Sequence, residues 1–407
     1  MHRGLERIIR SKSCLGCGLC IKKDSKAGMV LGADGFLRPS VKARIDENFL
    51  QYCPAETIVQ NRQKRTSELI YGPVVAPVLT GWSTNREIRH KASSGGVITQ
   101  LLIMLISENY VDGILHVGPD KTDATRSVSL FSTTIEQVRN NSGSRYAPTC
   151  LFESLHKIAE SHQRIAVVGK PCDIAALKQY CRLYPELSKI VRYTFSIMCM
   201  GLPSQLGTKK MVHHFGMKEE DVRDLRYRGC GWPGKASVIS RFGYKGEMTY
   251  IESWGAILGR NTLFRCKVCP IGFGEFADVT CGDAWYLKGG KPSFEEDNDG
   301  RSFIFMRTEK GKELVSRLVK EGLLEVSPCD IAEMPLIQQS QYQRKTNLLG
   351  RYVMYKLLVN PHFTLKGFRL FRLVWISGIV SLWKDTRGFL GRYWRDYKGN
   401  KKGGKDA

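Results

Sequence analysis

SCLGCGLC, residues 13–20, sets Cys14, Cys17 and Cys20 at an even spacing of three, with Gly16 and Gly18 between them. Three thiols at that spacing converge only if the loop curls tightly, and glycine relieves the strain of such a curl. The curl also turns backbone N–H groups toward the sulfurs, where they stabilise thiolate charge. A fourth cysteine, Cys53, follows Cys20 after 32 intervening residues and stands directly before Pro54 in QYCPAE.

A C-x2-C-x2-C run with a remote Cys-Pro is the ligand layout of a 4Fe–4S cluster in bacterial-type ferredoxins. Zinc sites usually pair two separated C-x2-C units and do not use one continuous triple run. Residues 1–65 are therefore read as a 4Fe–4S ferredoxin-like domain liganded by Cys14, Cys17, Cys20 and Cys53, closed by the polar stretch NRQKRTSE.

The chain has 407 residues, enough for two or three domains. Its 62 Lys and Arg against 39 Asp and Glu give a net charge of +23. Such a balance calls for an anionic partner: a phosphorylated cofactor, an acidic substrate, a membrane surface or nucleic acid. No nucleic-acid motif accompanies the charge, so that class is set aside. Thirteen cysteines behind an opening, MHRGLERIIRSK, without signal-peptide character point to a reducing, cytoplasmic setting. There, clustered cysteines bind metal or react more often than they cross-link.

After residue 66 the pattern becomes α/β. VDGILHVG and RIAVVGK read as buried strands ending in glycine, and VITQLLIMLISEN and DIAALKQY as helices. SFIFMRT reads as a strand and GKELVSRLVKEGLLEV, residues 311–326, as one helix. Four more cysteines could supply a second cluster: Cys172 in GKPCD, Cys199 in IMCMG, and the pair Cys266 and Cys269 in FRCKVCP. Cys230 and Cys281 compete for a ligand position, and for any one of these thiols inert burial is the alternative.

Two glycine-rich stretches invite a phosphate. GCGWPGK, residues 229–235, is rejected as a nucleotide loop because Ala236 stands where a P-loop has Ser or Thr, Pro233 lacks an N–H, and no clean strand is read before it. SSGG, residues 93–96, leads into an apolar helical stretch, so its hydroxyls and N–H groups serve either as a plain N-cap or as a phosphate cradle, with Lys91 adding charge.

The tail from Pro361 carries eleven Lys or Arg against three Asp, and the run LVWISGIVSLW at 373–383 is too short to span a bilayer. It reads either as an interfacial helix on an anionic membrane or as a helix docked on the protein. As a mere address, its deletion from residue 361 would leave the cofactor sites intact.

Taken in order, the C-x2-C-x2-C module, SSGG, GSRYAP at 143–148, VGKPCDIAAL, CMG-PS at Cys199, YRGCGWPG, RCKVCP and ADVTCGDAW resemble the coenzyme F420 hydrogenase/dehydrogenase beta-subunit family, over roughly residues 10–335. The chain as a whole is expected to be α+β or α/β, and the resemblance implies an α/β, FAD-binding, iron–sulfur-containing domain over 66–335, followed by a basic helical tail over 336–407. It implies two 4Fe–4S clusters, with Cys172, Cys199, Cys266 and Cys269 holding the second, and an FAD near Ser94, Gly95, Gly96, Ser144, Tyr146, Lys170 and Asp283. The expected function is an oxidoreductase that relays single electrons through the clusters to FAD. Two-electron transfer then links FAD to an organic small molecule or a deazaflavin coenzyme, in either direction. A non-catalytic electron-transfer subunit is the alternative. The implied partner is a redox donor such as ferredoxin or a hydrogenase-like subunit, and bacterial relatives suggest polysaccharide synthesis as a setting. Lys170, Tyr146 and His90 are the candidate proton donors, and no catalytic residue stands out.

Overall fold

The computed structural model describes residues 2–60, 66–161, 163–295 and 299–398. An eight-stranded mixed sheet lies at its centre. From edge to edge the strands are Leu324–Pro328, Leu79–Ser83, Ser302–Met306, Val279–Asp283, Val191–Ile197, Ile165–Gly169, Gly113–Pro119 and Ser127–Ser132. The four from Val279–Asp283 to Gly113–Pro119 run parallel, with Val279 opposite Phe195, Thr194 opposite Val167 and Val167 opposite Leu115. The remaining neighbours are antiparallel.

Parallel strands are covered on both faces, and the continuous apolar run IAVV meets that demand. Ile165 and Val167 enter one core, and Ala166 and Val168 pack in the other. Helices Val97–Ser107 and Glu309–Lys320 cover one face, and helix Pro171–Leu183 covers the other. Pro171 suits the first turn of its helix because its missing N–H would have no partner there, and the Asp173 carboxylate accepts the Lys170 N–H at 3.1 Å. The helix expected over 311–326 stops at Lys320. Gly322, at φ 69°, takes the left-handed turn that ends it, and Leu324–Pro328 becomes an edge strand.

Residues 2–60 hold helix Arg3–Arg10 and the hairpin of Met29–Leu31 with Leu37–Pro39. Their Leu5, Ile8, Leu19, Phe49 and Tyr52 enter the same core as Leu115, Ile165 and Ile174. Strand Thr57–Val59 pairs in parallel with Thr364–Lys366, so the first and last segments share a small sheet. The core of the expected linker, residues 61–65, lies outside the described residues, as do 399–407 of the tail.

The apolar run of the tail forms two helices, Leu370–Ser377 and Ile379–Arg392, broken at Gly378 with φ 77° and ψ 153°. Among the described residues no helix is long and apolar enough to cross a membrane. The second helix docks on helix Leu348–Leu358 through a two-pronged Arg351–Asp385 ion pair. Buried Tyr355 bonds the Ser13 hydroxyl at 2.6 Å, and the Tyr397 hydroxyl donates to the Ser11 carbonyl at 3.0 Å, on either side of the turn that leads to Cys14.

Candidate functional site

The N-terminal loop curls through Gly16 and Gly18, both left-handed at φ 75° and 81°. Gly18 has no alternative, since a Cβ there would stand 2.2 Å from the Cys150 sulfur. Cys14, Cys17, Cys20 and Cys53 line one small apolar cavity with Phe49 and Ala176. Backbone N–H groups at Gly16, Leu19 and Ala55 oppose the effect of burial on Cys14, Cys17 and Cys53. Burial pushes the Cys17 thiol up to about 12, and burial followed by Cys17, Cys53 and Cys14 raises Cys20. Desolvated thiols crowded in this way ionise readily only against a cationic centre.

A second nest forms where three elements end. Cys172 opens helix Pro171–Leu183, Cys199 follows strand Val191–Ile197, and Cys266 and Cys269 flank the end of the short turn Phe264–Val268. All four line one cavity. The Leu202 N–H donates to the Cys266 sulfur at 3.4 Å, and burial followed by Cys266 and Cys269 raises Cys199 to about 12. Arg344 braces this loop by donating to the carbonyls of Cys199 at 2.5 Å and Met200 at 2.7 Å. Cys281 and Cys230 sit elsewhere, the first in the wall of a larger cavity and the second exposed on an outer cleft. Among the described residues no three His, Cys, Asp or Glu gather as ligands of a single ion. A cubane asks for something different, one thiolate on each of four irons, and each nest offers four thiols around one space.

The larger cavity, about 240 Å³, opens at the carboxyl ends of the parallel strands, the usual binding crevice of an α/β sheet. Gly169, Ile197 and Asp283 reach it from three of them. Six of the seven expected contacts line it: Ser94, Gly96, Ser144, Tyr146, Lys170 and Asp283. Gly95 instead packs against the sheet, where an added Cβ would lie 2.5 Å from the Gly81 carbonyl oxygen. The serines do not cap the helix. Ser93 accepts the Ser144 N–H at 2.8 Å, Ser94 bonds the Ser302 hydroxyl at 2.8 Å, and Gly96, left-handed at φ 76°, occupies the N-cap. Val97, Ile98 and Thr99 of the first helical turn line the cavity, which leaves early N–H groups facing it.

Sequence reading missed Arg228. It is 2% exposed, pairs with Asp283 at 2.6 Å, donates to the Pro233 carbonyl at 2.6 Å, and stacks 4.9 Å from the rings of Trp232, Tyr250 and Trp285. Its Nη2 is buried without a hydrogen-bond partner. His116 was missed as well; it lines the cavity, bonds Ser132 at 2.7 Å, and burial lowers its pKa, which favours the neutral ring. His90 lies on the outer cleft with Cys230. A strand, Val222–Arg226, does precede GCGWPGK, contrary to the sequence reading. The chain then enters a second strand, Ala236–Ser240, so no helix N-terminus is offered to a phosphate.

The three spaces adjoin. Leu15 lines both cysteine cavities, and Lys170 lines both the second nest and the large cavity. Arg265, next to Cys266, donates to the carbonyl of Pro54, next to Cys53, at 2.9 Å.

Fold and site thus define an α/β protein with two four-cysteine nests set in series against one buried, phosphate-compatible cavity. Comparison with known proteins assigns the middle of the chain to one family. Residues 78–156 match the N-terminal family model, and residues 162–332 the C-terminal one, of the coenzyme F420 hydrogenase/dehydrogenase beta subunit. The chain belongs to this family. It is 27% identical over 270 residues to the coenzyme F420 hydrogenase subunit beta of Methanococcus voltae, covering 65% of this chain and 89% of that protein. It is 25% identical to an F420-dependent formate dehydrogenase subunit beta of Methanocaldococcus jannaschii, covering 60% of each. In fold it resembles a chain of the F420-reducing [NiFe] hydrogenase complex of Methanosarcina barkeri, with a TM-score of 0.55 at 21% identity, covering 70% of this chain and 94% of that one. The N-terminal cysteine loop and the tail lie outside both family matches.

Proposed function

We propose that this chain is an iron–sulfur flavoprotein subunit of an oxidoreductase, with two 4Fe–4S clusters in the cysteine nests and an FAD in the large cavity. Bound there, the clusters supply one-electron exchange and the flavin both one- and two-electron exchange, with an organic acceptor or donor such as a deazaflavin. The observation that carries the reading is the series of shared walls, Leu15 between the nests and Lys170 between the second nest and the cavity.

The chain's own residues have distinct tasks. The eight thiols ligate, and the N–H groups around them offset thiolate charge. The first turn of helix Val97–Ser107 and Lys170 face a pyrophosphate. Lys170 keeps its charge: burial works against it, but Asp173 at 2.7 Å holds its pKa above the ordinary lysine value. Arg228 presents a spare N–H to the cavity. Ser93 and Ser144 bind the two halves of the rim together. The named relatives are subunits of a hydrogenase and a formate dehydrogenase. A redox partner, a ferredoxin or a hydrogenase-like subunit, therefore completes the proposal.

The test is the content of iron, acid-labile sulfide and flavin in protein purified without oxygen. The expected result is about eight irons and one FAD per chain. Cys17→Ser and Cys266→Ser should each lose about half the iron, while Cys281→Ser and Cys230→Ser keep all of it. Zinc in place of iron, or no flavin after reconstitution, overturns the proposal.

A further inference from the structure

The two tail helices have an inner and an outer face. Leu370, Leu373 and Phe389 are buried against the protein. On the other side Phe371, Trp375, Ile379, Val380 and Trp383 are between 59% and 89% exposed. Residues 371 and 375, and then 379 and 383, are four apart, the spacing of one helical face, and the two helices pack together across Gly378. Exposed Arg372 and Lys384 sit beside them, and Arg387 lies 5.6 Å from the Trp383 ring. A fold that needs these side chains for its own core would cover them. Large exposed apolar groups at one place mark an interaction surface.

The composition identifies the occupant. Trp and Phe interleaved with Arg and Lys suit the boundary of an anionic bilayer, where an indole has one apolar and one polar edge and phosphate headgroups meet the cations. The segment after Pro361, with eleven basic and three acidic residues, has the complementary charge. We propose that the outer face of helices Leu370–Ser377 and Ile379–Arg392 docks this protein on an anionic lipid surface, lying in the interface without crossing it. The ion pair of Asp385 with Arg351 and the burial of Phe389 keep the inner face on the protein while the outer face engages lipid.

The experiment floats purified full-length protein with vesicles of phosphatidylcholine, alone or mixed with phosphatidylglycerol. Roughly tenfold more protein should float with the anionic vesicles, and salt should reverse this. The double variant Trp375→Glu, Trp383→Glu should lose flotation while retaining iron and circular dichroism, since both side chains point to solvent. In wild type, brominated acyl chains should quench tryptophan fluorescence, a readout that needs no variant. Absence of flotation and quenching refutes the proposal, and so does flotation unchanged in the double variant. A dimer by light scattering that the double variant converts to monomer also refutes it, and assigns the face to a second copy.

Discussion

Replacing Phe389 by alanine should damage the protein far more than replacing Trp375, although the two residues lie on adjoining helices of the same basic tail. Phe389 has no exposed surface and lies in a cluster with Ile58, Val268, Tyr355, Phe363 and Tyr397. Its ring centroid is 5.0 Å from that of Phe264, two residues before Cys266. Truncating a buried Phe to Ala costs about 3–5 kcal/mol through lost transfer energy and the cavity left behind. Against a total stability of about 5–15 kcal/mol this is a large fraction. Trp375, 89% exposed, should cost no more than about 0.5 kcal/mol. The assay is the urea midpoint of each full-length variant, followed by circular dichroism without oxygen, with iron retained as a second readout. Phe389→Ala should unfold at lower urea and release iron earlier than wild type, and Trp375→Ala should match wild type. Two equal, small shifts would refute the packing argument. By the same reasoning, deletion from residue 361 disturbs the core as well as any outer contact of the tail. That deletion removes Phe363, Leu370, Leu373, Phe389 and Tyr397 from the core. At about 1.5–3 kcal/mol for each buried side chain, the loss rivals the whole stability.

Asp283→Asn strips the counter-charge from an Arg228 that is 2% exposed, and should destabilise by about 3 kcal/mol. Adding Arg228→Met should recover part of that loss, so a double-mutant cycle reads the coupling, and strictly additive losses would show that the pair is not linked. His116 supplies a pH dependence. Burial holds the folded imidazole below its ordinary value, so on acidification the unfolded chain takes up this proton first, near pH ~6.5, and stability falls from there downward. In His116→Gln the decline of Tm between about pH 7 and pH 5 should be shallower than in wild type, and parallel curves would remove His116 as a contributor.

The parts of the fold and site that are legible in the chain are those whose chemical requirement is narrow. Clustered thiols have few other uses, so eight cysteines stand out, and the structure brings the same eight to the walls of two small cavities. The strand RIAVVGK was legible because burial on both faces demands unbroken apolar residues. Ser93, Ser94 and Gly96 of SSGG line the large cavity, yet the hydroxyls serve to tie that wall to Ser144 and Ser302, partners 51 and 208 residues away that no local pattern reveals. Arg228 and His116 were invisible for the same reason: Arg228 follows strand Val222–Arg226 and meets Asp283 from 55 residues away, and His116 meets Ser132 on the neighbouring strand. The helix expected over 311–326 exceeds the observed one because LLEV suits either state, and Gly322 and the open sheet edge decide for a strand.

The ionisable groups of the large cavity indicate the kind of chemistry it suits. Asp173 is bound to Lys170 and Asp283 to Arg228, so both carboxylates are neutralised by a cation. Burial raises Tyr146, against the opposing pull of Arg228, and raises Cys281, while it lowers His116. Each of these lining groups is either paired or displaced away from neutrality in the direction that favours its uncharged form. A site organised for general acid–base catalysis would hold one group poised near the working pH. Here Arg145 is left over. It is bonded to the carbonyls of Leu225, Ala124 and Arg126, and Asp224 and Asp123 lie near enough to oppose the effect of its burial; among the groups that line the cavity itself it leaves one more cation than anion. A positive excess among the lining groups beside a helix N-terminus suits an anionic ligand.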